Sequence, residues 1–304
     1  MDYETLLGDL ADREPRVVVL TAENRAPIRG LPQRLGGRFV DVGIAEQTLI
    51  GMSAGLALRG RVPVAHALAT FLTLRPFEFI RTDVGVAHLP VKLVGYVPGV
   101  LSEANGPTHQ ALEDVSLMRG IPGMRVFSPA DHEDLCLGLP VILKDAAPWY
   151  IRYLDRPAVV RHDAEFQIGR AELVREGTDV AILVHGALFT EAHEATGRLA
   201  ETGVSARLVN MRSLKPVDEE AIVASARGTR LLVTVEDHFL TGGLASIVSE
   251  VLVRRGVRAR LHPISLGDRW FRPARLHDVL DTERLLGPQL AARIVAALEE
   301  HHAH

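Results

Sequence analysis

The sequence predicts an α/β protein in which two tandem domains each carry a mostly parallel sheet. Short β-branched runs alternate with longer amphipathic runs along nearly the whole chain, which is the pattern of strand–helix units. A charged, proline-containing stretch, Leu154–Glu165, interrupts this alternation once and reads as a linker. The length of 304 residues suits two domains of about 150 residues each. We therefore place the domains at residues 1–157 and 158–304.

Composition and charge exclude several classes of function. Apolar residues make up 47% and charged residues 24%, which indicates a globular chain. A net charge of -4 gives no reason to expect nucleic acid or an anionic membrane as a partner. The N-terminus is acidic and no apolar run approaches the ~18 residues of a membrane span, so we expect a cytoplasmic protein. The single cysteine, Cys136, allows no intramolecular disulfide, and the C-terminal H-H-A-H is expected to be a solvated tail.

The individual elements follow from the period of the apolar residues. In the first domain we predict strands over Arg16–Thr21, Arg38–Val42, Val62–Ala67, Val91–Tyr96, Met124–Ser128 and Trp149–Tyr153. Helices are predicted there over Ala45–Arg59, Arg75–Ala87, Ala111–Arg119 and Ala130–Lys144. In the second domain we predict strands over Val180–Val184, Ala206–Asn210, Arg230–Val235 and Arg258–Pro263, and helices over Leu188–Thr202, Asp218–Ala226 and Gly243–Arg254.

One carboxylate, Glu46, stands in the stretch D-V-G-I-A-E-Q, directly before the apolar run T-L-I-G-M-S-A-G-L-A-L. An acid in the first turn of a predicted helix can be explained by the helix dipole alone. The surrounding sequence, however, offers Glu46 little solvent and no nearby basic residue. A buried acid of this kind can share a proton with a nitrogen base, which makes Glu46 a candidate functional residue.

Two further stretches follow predicted strands, where ligands bind in parallel sheets. In T-F-L-T-L-R-P-F-E, Phe71, Leu74 and Phe77 recur at every third position and form either an apolar wall or ordinary core. The stretch P-G-V-L-S-E-A-N-G-P-T-H-Q is a loop shaped by two prolines and two glycines. His109 lies near the end of this loop, directly before a predicted helix.

Five motifs in order carry a resemblance to transketolase and its thiamine-diphosphate relatives. They are V-G-I-A-E-Q, A-T-F-L, A-N-G-P-T-H-Q, S-L-M-R-G-I-P-G-M-R-V-F-S-P-A-D and V-T-V-E-D-H-x-x-x-G-G-L. The resemblance runs from about Val17 to about Pro263 and covers the pyrimidine-binding domain and the C-terminal domain of that family. It implies thiamine diphosphate as the cofactor.

The resemblance also implies roles for individual residues at the cofactor. Glu46 matches the glutamate that bonds N1′ of the aminopyrimidine and so activates the cofactor. Phe71 and Phe77 match aromatic residues that pack on the aminopyrimidine, and Leu74 stands at a position that is often aromatic. Glu23, in T-A-E-N, matches an acidic residue close to the cofactor.

At the substrate, the resemblance implies that His109 bonds the ketol oxygens and shuttles protons. Asn105 stands where the family generally has an aspartate that bonds a sugar hydroxyl, and it keeps an acceptor without the charge. Val97 lies in a stretch where transketolases often carry a substrate-binding histidine. Arg152, in I-R-Y-L-D-R-P, is the best candidate for a phosphate contact, with Arg156 as an alternative and a solvated surface charge as the simpler explanation.

The family holds the cofactor diphosphate through a divalent metal and a G-D-G motif, and this sequence contains no G-D-G. We therefore predict no metal ligands in this chain. We expect Mg2+ (or Ca2+) and the diphosphate to be bound mainly by a separate N-terminal diphosphate-binding subunit, in an α2β2 assembly. A non-catalytic regulatory relative is the alternative explanation of the same absence.

Three related enzyme classes could account for these motifs: transketolase, deoxyxylulose-phosphate synthase and the β subunit of 2-oxo acid dehydrogenases. The dehydrogenase chains tend to show N-T-P-I-x-E where this chain reads D-V-G-I-A-E, and the synthase is usually one continuous chain. The prediction is therefore a split transketolase, which transfers a two-carbon ketol unit between a ketose (or ketose phosphate) and an aldose. The second domain carries no catalytic constellation, and V-T-V-E-D-H is assigned to packing and subunit association.

Overall fold

A mostly parallel sheet forms the centre of the first half of the chain. The computed structural model describes residues 2–103, 105–163 and 165–300, so the H-H-A-H tail lies outside the described residues. The strands of this sheet are β1 (Val17–Thr21), β2 (Phe39–Asp41), β3 (Val62–Leu68), β4 (Lys92–Tyr96), β5 (Arg125–Phe127), β6 (Trp149–Tyr153) and β10 (Ser213–Lys215). They are arranged in the order β10-β5-β6-β4-β3-β1-β2, and β10 is antiparallel to β5.

A second mostly parallel sheet forms the centre of the other half. Its strands are β7 (Glu172–Arg175), β8 (Val180–Val184), β9 (Ala206–Asn210), β11 (Leu231–Phe239) and β12 (Leu261–Leu266). Their order is β12-β11-β8-β9-β7, with β7 antiparallel to β9. This confirms the predicted fold class of two tandem α/β units with mostly parallel sheets.

Helices cover the sheets and complete the strand–helix alternation. In the first half they are α1 (Tyr3–Arg13), α2 (Leu31–Leu35), α3 (Glu46–Leu58), α4 (Ala69–Leu74), α5 (Phe77–Phe79), α6 (Asp114–Gly120) and α7 (His132–Lys144). In the second half they are α8 (Phe189–Glu201), α9 (Glu219–Gly228), α10 (Leu244–Arg254), α11 (Leu276–Thr282) and α12 (Gly287–Glu299). Within the described ranges, none of these helices has the length and apolar character needed to cross a membrane.

The buried strands are the elements that the sequence predicts best. The bounds of β6, β8 and β9 coincide with the prediction, because every residue of β6 and β8 is buried and the apolar run is the strand itself. The predicted continuous helix Arg75–Ala87 is wrong, because this range is divided into two helical segments. Pro76 has no backbone N–H and separates α4 from α5, and a π-helical segment, Ile80–Val86, follows α5.

Strand β10 joins the two halves of the chain. It lies in the second half of the sequence, yet Ser213 pairs with Phe127 of β5 in the first sheet. The Lys215 ammonium donates to the carbonyl of Arg119 at 2.7 Å, which ties the same segment to α6. The predicted second domain, residues 158–304, therefore contributes an edge strand to the first sheet.

A buried histidine in the linker also holds the halves together. His162 Nε2 lies 2.7 Å from Asp131 Oδ2, and Nδ1 lies 2.7 Å from Glu172 Oε2. Because both ring nitrogens face carboxylates, the ring is held as the imidazolium. Burial would lower the pKa of His162, but the hydrogen bonds with Asp131 and Glu172 raise it to about 10. Burial alone would raise the pKa of Glu172, but its hydrogen bond with His162 lowers this pKa to about 2.

We predict that His162 makes the protein less stable as the solution becomes alkaline. The folded pKa of about 10 exceeds the unfolded value of 6.5, so the stabilisation is complete below pH 6.5 and is lost as the pH rises through about 10. Urea unfolding of the wild type and of His162→Gln across this window measures the effect. The difference in unfolding free energy between the two proteins should shrink steadily as the pH rises.

This difference isolates His162 from other groups that titrate in the same window. Burial lowers the pKa of Lys92 to about 7, so Lys92 contributes the opposite slope, and it contributes equally to both proteins. A difference between wild type and His162→Gln that is constant with pH would contradict the charged state of His162.

Candidate functional site

A cleft of about 910 Å³ lies at the carboxyl end of the first sheet. Its walls come from the segments that follow β1, β2 and β3 and from the loop after β4. The carboxyl ends of parallel strands meet at one edge of a sheet, so these segments converge there although they are distant in sequence. The lining residues are Ala22, Glu23, Asn24, Arg25, Ala26, Arg29, Asp41, Ile44, Glu46, Leu68, Phe71, Arg75, Thr108 and His109.

Glu46 lies in the wall of this cleft as the first residue of α3, and it is only 4% exposed. Its carboxylate is paired: Arg75 Nη1 donates to Glu46 Oε1 at 2.8 Å. The sequence-based expectation that Glu46 has no basic neighbour is therefore wrong. Arg75 lies 29 residues further along the chain, at the end of α4, and only the fold brings the two side chains together.

Phe71 and His109 continue the same row of contacts. The Arg75 guanidinium carbon lies 3.7 Å from the centroid of the Phe71 ring. The Phe71 ring in turn meets the His109 ring edge to face, with centroids 5.1 Å apart. The Thr108 hydroxyl lies 2.8 Å from His109 Nδ1 and fixes the orientation of the imidazole. The structure thus brings together three of the predicted site residues: Glu46, Phe71 and His109.

Glu23 also lines the cleft, in a backbone conformation that Asp41 supports. Glu23 has a left-handed φ of 69°, which is uncommon outside glycine. Asp41 Oδ1 accepts hydrogen bonds from the backbone N–H of Glu23 at 3.2 Å and of Gly43 at 2.9 Å. Asp41 Oδ2 accepts from Arg25 Nε at 2.7 Å. Burial acts to raise the pKa of Asp41, but these hydrogen bonds lower it below its usual value.

Asp41 is thus a site residue that the sequence reasoning missed. It connects the loop after β1 to the segment before α3, and so holds Glu23 and Glu46 in one wall of the cleft. Its sequence signal was an acid at the end of a strand, two residues before a glycine, in D-V-G.

Leu74, Phe77 and Asn105 do not line the cleft in this chain, contrary to the predicted roles. Leu74 is 44% exposed, and Phe77 packs against the hydrophobic core. The break at Pro76 explains the position of Phe77, because Phe71 and Phe77 belong to separate helices and do not share one face. Asn105 is exposed, and its amide donates to the Ser102 hydroxyl at 3.3 Å.

The structure places Arg152 in a buried ion-pair network and not in the cleft, contrary to the predicted position for a phosphate contact. It is 1% exposed and pairs with Asp114 on α6 at 2.9 Å and with Asp237 on β11 at 2.8 Å. Tyr150 donates its hydroxyl proton to the same Asp114 at 2.6 Å. Burial acts to lower the pKa of Arg152, but the charges of Asp114 and Asp237 raise it above its usual value. Arg152 is a buried ion-pair partner between the two halves and does not line the cleft.

We predict that Arg152→Met destabilises the protein strongly, because it leaves Asp114 and Asp237 buried without a counter-charge. Removing one member of a buried ion pair costs about 3–5 kcal/mol of unfolding free energy. Urea unfolding measures the loss. Arg161→Met, at an exposed arginine of the linker, is the matched control and should change stability by less than about 0.5 kcal/mol. Equal stability of the two variants would contradict the structural role of Arg152.

Fold and cleft together define a ligand-binding α/β protein. A buried carboxylate, an aromatic face and an imidazole converge at the carboxyl edge of a parallel sheet, where such folds bind their ligands. Among the described residues, no group of three or more His, Cys, Asp or Glu side chains could hold a metal ion.

Two family profiles match this chain. The profile "Transketolase, pyrimidine binding domain" matches residues 2–156, and "Transketolase, C-terminal domain" matches residues 169–291. The chain therefore belongs to the transketolase family, which confirms the resemblance read from the motifs.

Three relatives illustrate the type of chain. The 6-deoxy-6-sulfo-D-fructose transketolase subunit SqwH of Clostridium sp. (strain MSTE9) is 43% identical over 82% of this chain and 79% of its own length. An apulose-4-phosphate transketolase subunit of Phocaeicola vulgatus is 35% identical over 85% of this chain and 84% of its own. A solved structure, "Split gene transketolase, inactive beta4 tetramer", superimposes with a TM-score of 0.89 at 35% identity, covering 98% of this chain and 97% of that one.

Proposed function

We propose that this chain is one subunit of a split, thiamine-diphosphate-dependent transketolase. It transfers a two-carbon ketol unit from a small ketose, free or phosphorylated, to an aldose. The observation that carries the proposal is the row of contacts from buried Glu46 through Arg75 and Phe71 to His109 in one cleft. Family membership and the names of the relatives, which are transketolase subunits, support the same reaction class.

The cleft fits the aminopyrimidine half of the cofactor. Glu46 offers a buried carboxylate that already accepts a hydrogen bond from a nitrogen donor. Phe71 offers a ring face on which the planar guanidinium of Arg75 already lies, with its central carbon 3.7 Å from the ring centroid. An aminopyrimidine presents the same two features, a flat ring and a nitrogen that bonds to a carboxyl group. We therefore assign Glu46 and Phe71 to holding the ring and Glu23 to the adjacent wall of the cleft.

Thiamine diphosphate, when bound, supplies the carbanion chemistry that breaks and forms a carbon–carbon bond beside a carbonyl. The residues of this chain orient that chemistry. Glu46 holds a proton at the aminopyrimidine, in a position that excludes water because the carboxylate is buried. His109 bonds the ketol oxygens and moves protons to and from them. The Thr108 hydroxyl occupies His109 Nδ1, and within the described residues no protein group bonds Nε2, which leaves this nitrogen for the substrate.

The diphosphate and its metal ion are assigned to a separate partner subunit in an α2β2 assembly. An exposed apolar face beside the cleft supports such a partner. Helix α3 exposes Met52 and Leu58, and it presents Gly51 and Gly55 with open space around them. Ile44, which lines the cleft, is 74% exposed. An apolar helix of this kind is normally buried, so we propose that the partner covers α3 and closes the cleft. A cytoplasmic location is part of the same proposal.

Glu46→Gln should abolish most of the ketol transfer by the assembled enzyme. The variant keeps the size and hydrogen bonding of the side chain but removes its proton exchange, so kcat should fall by about 10²–10⁴-fold. Two-carbon transfer from a ketose to an aldose measures the activity, and native mass spectrometry verifies assembly. Glu78→Gln, at an exposed acid on α5, is the control and should retain full activity. Full activity of Glu46→Gln would remove the proposed function and leave a non-catalytic binding protein.

His109→Asn should lower kcat/KM by about 10²-fold while cofactor affinity stays unchanged, because His109 acts on the substrate. The same transfer assay, with the pH profile of kcat/KM, measures the loss. His277→Asn, at a histidine whose side chain is 76% exposed, is the matched control. A parallel loss of cofactor binding in His109→Asn would place this residue at the cofactor instead.

A further inference from the structure

The Arg75 side chain has the geometry of a bound ligand within the cleft. Its guanidinium is planar, its Nη1 donates to Glu46 Oε1 at 2.8 Å, and its central carbon lies 3.7 Å over the Phe71 ring. These are the two contacts that the proposed function assigns to the aminopyrimidine ring. The arginine and the aminopyrimidine ring cannot both lie on this face of Phe71 at the same time.

We propose that Arg75 is an internal occupant of the aminopyrimidine place: it neutralises Glu46 in the chain alone and swings out when the cofactor enters. This inference rests on the proposed function and adds a residue that controls access to the site. The positive charge beside Glu46 therefore leaves the cleft when the cofactor binds.

The backbone of Arg75 is anchored while its side chain has room to turn. Its backbone N–H donates to the Phe71 carbonyl at 3.3 Å, and its own carbonyl accepts from Gln47 Nε2 at 3.3 Å. The side chain is 42% exposed and borders an open cleft of about 910 Å³. Rotation about side-chain bonds therefore moves the guanidinium into solvent without any change in α4.

The electrostatics of Glu46 explain why such an occupant is present. The Glu46 side chain is 5% exposed, and a buried carboxylate without a partner is strongly destabilising. Arg75 satisfies this carboxylate in the chain alone. The apparent affinity for the aminopyrimidine is then reduced by the fraction of molecules in which Arg75 has left the site.

A direct test uses the aminopyrimidine alcohol that forms one half of thiamine, titrated into the full-length chain and followed by NMR. Arg75→Ala and Arg75→Met should bind this probe about tenfold or more tightly than the wild type, because the competitor is gone. The methionine variant keeps an apolar stem over Phe71 and guards against loss of folding. Arg161→Ala is the control: Arg161 is an exposed arginine of the linker and does not line the cleft, so its removal should leave the affinity unchanged.

A second experiment adds a small guanidinium compound to the variant that lacks the Arg75 side chain. Methylguanidinium should raise the thermal unfolding temperature of Arg75→Ala, leave that of the wild type and of Arg161→Ala unchanged, and compete with the pyrimidine probe. Equal probe affinity in wild type and Arg75→Ala overturns the inference, and so does an absence of probe binding to every variant. The transfer assay on Glu46→Gln separates this failure from that of the proposed function, because it reports on Glu46 whether or not Arg75 competes.

Discussion

The ion pairs of Arg152 with Asp114 and Asp237 are the contact on which the rest of the site geometry depends. They join the first half of the chain to the second in a place that excludes solvent. Gly99, in the loop after β4, lies so close to this contact that an added Cβ would meet Asp237 Oδ2 at 1.7 Å. Gly99 also pairs with Ala111 across the base of the loop that carries His109. The ion pairs therefore support the base of the loop that carries His109.

Buried charges define the relative position of the two halves more sharply than an apolar contact would. The pairs of Arg152, and the linker histidine His162 between Asp131 and Glu172, each need one arrangement of donors and acceptors. Any other docking of the halves would leave several buried charges unpaired, at a cost of several kcal/mol each. Family motifs such as V-T-V-E-D-H, which supplies Asp237, thus act on the cleft indirectly, through the loop that they support.

The sequence is sufficient for the fold class and for the centre of the site, because both depend on local patterns. Fully buried strands are continuous apolar runs, and the motifs around Glu46, Phe71 and His109 follow strand ends, which a parallel sheet brings together. Contacts between distant segments are not encoded in any local pattern. The pairing of Glu46 with Arg75 and the burial of Arg152 depend on which segments the fold makes neighbours. Strand β10 was missed for a second reason: its three residues are too few to show a period.

A buried carboxylate in a cleft imposes a constraint on every state of the protein. Glu46 must face a hydrogen-bond donor whether or not a ligand occupies the cleft, because its burial removes the alternative of water. A flexible arginine satisfies this requirement in the chain alone, since its planar guanidinium donates to the carboxylate and also lies flat on Phe71. A lysine would supply charge without the planar contact. Under the proposed function, Arg75 thus makes the two contacts, with the Glu46 carboxylate and with the Phe71 ring, that the aromatic ring of the cofactor would make.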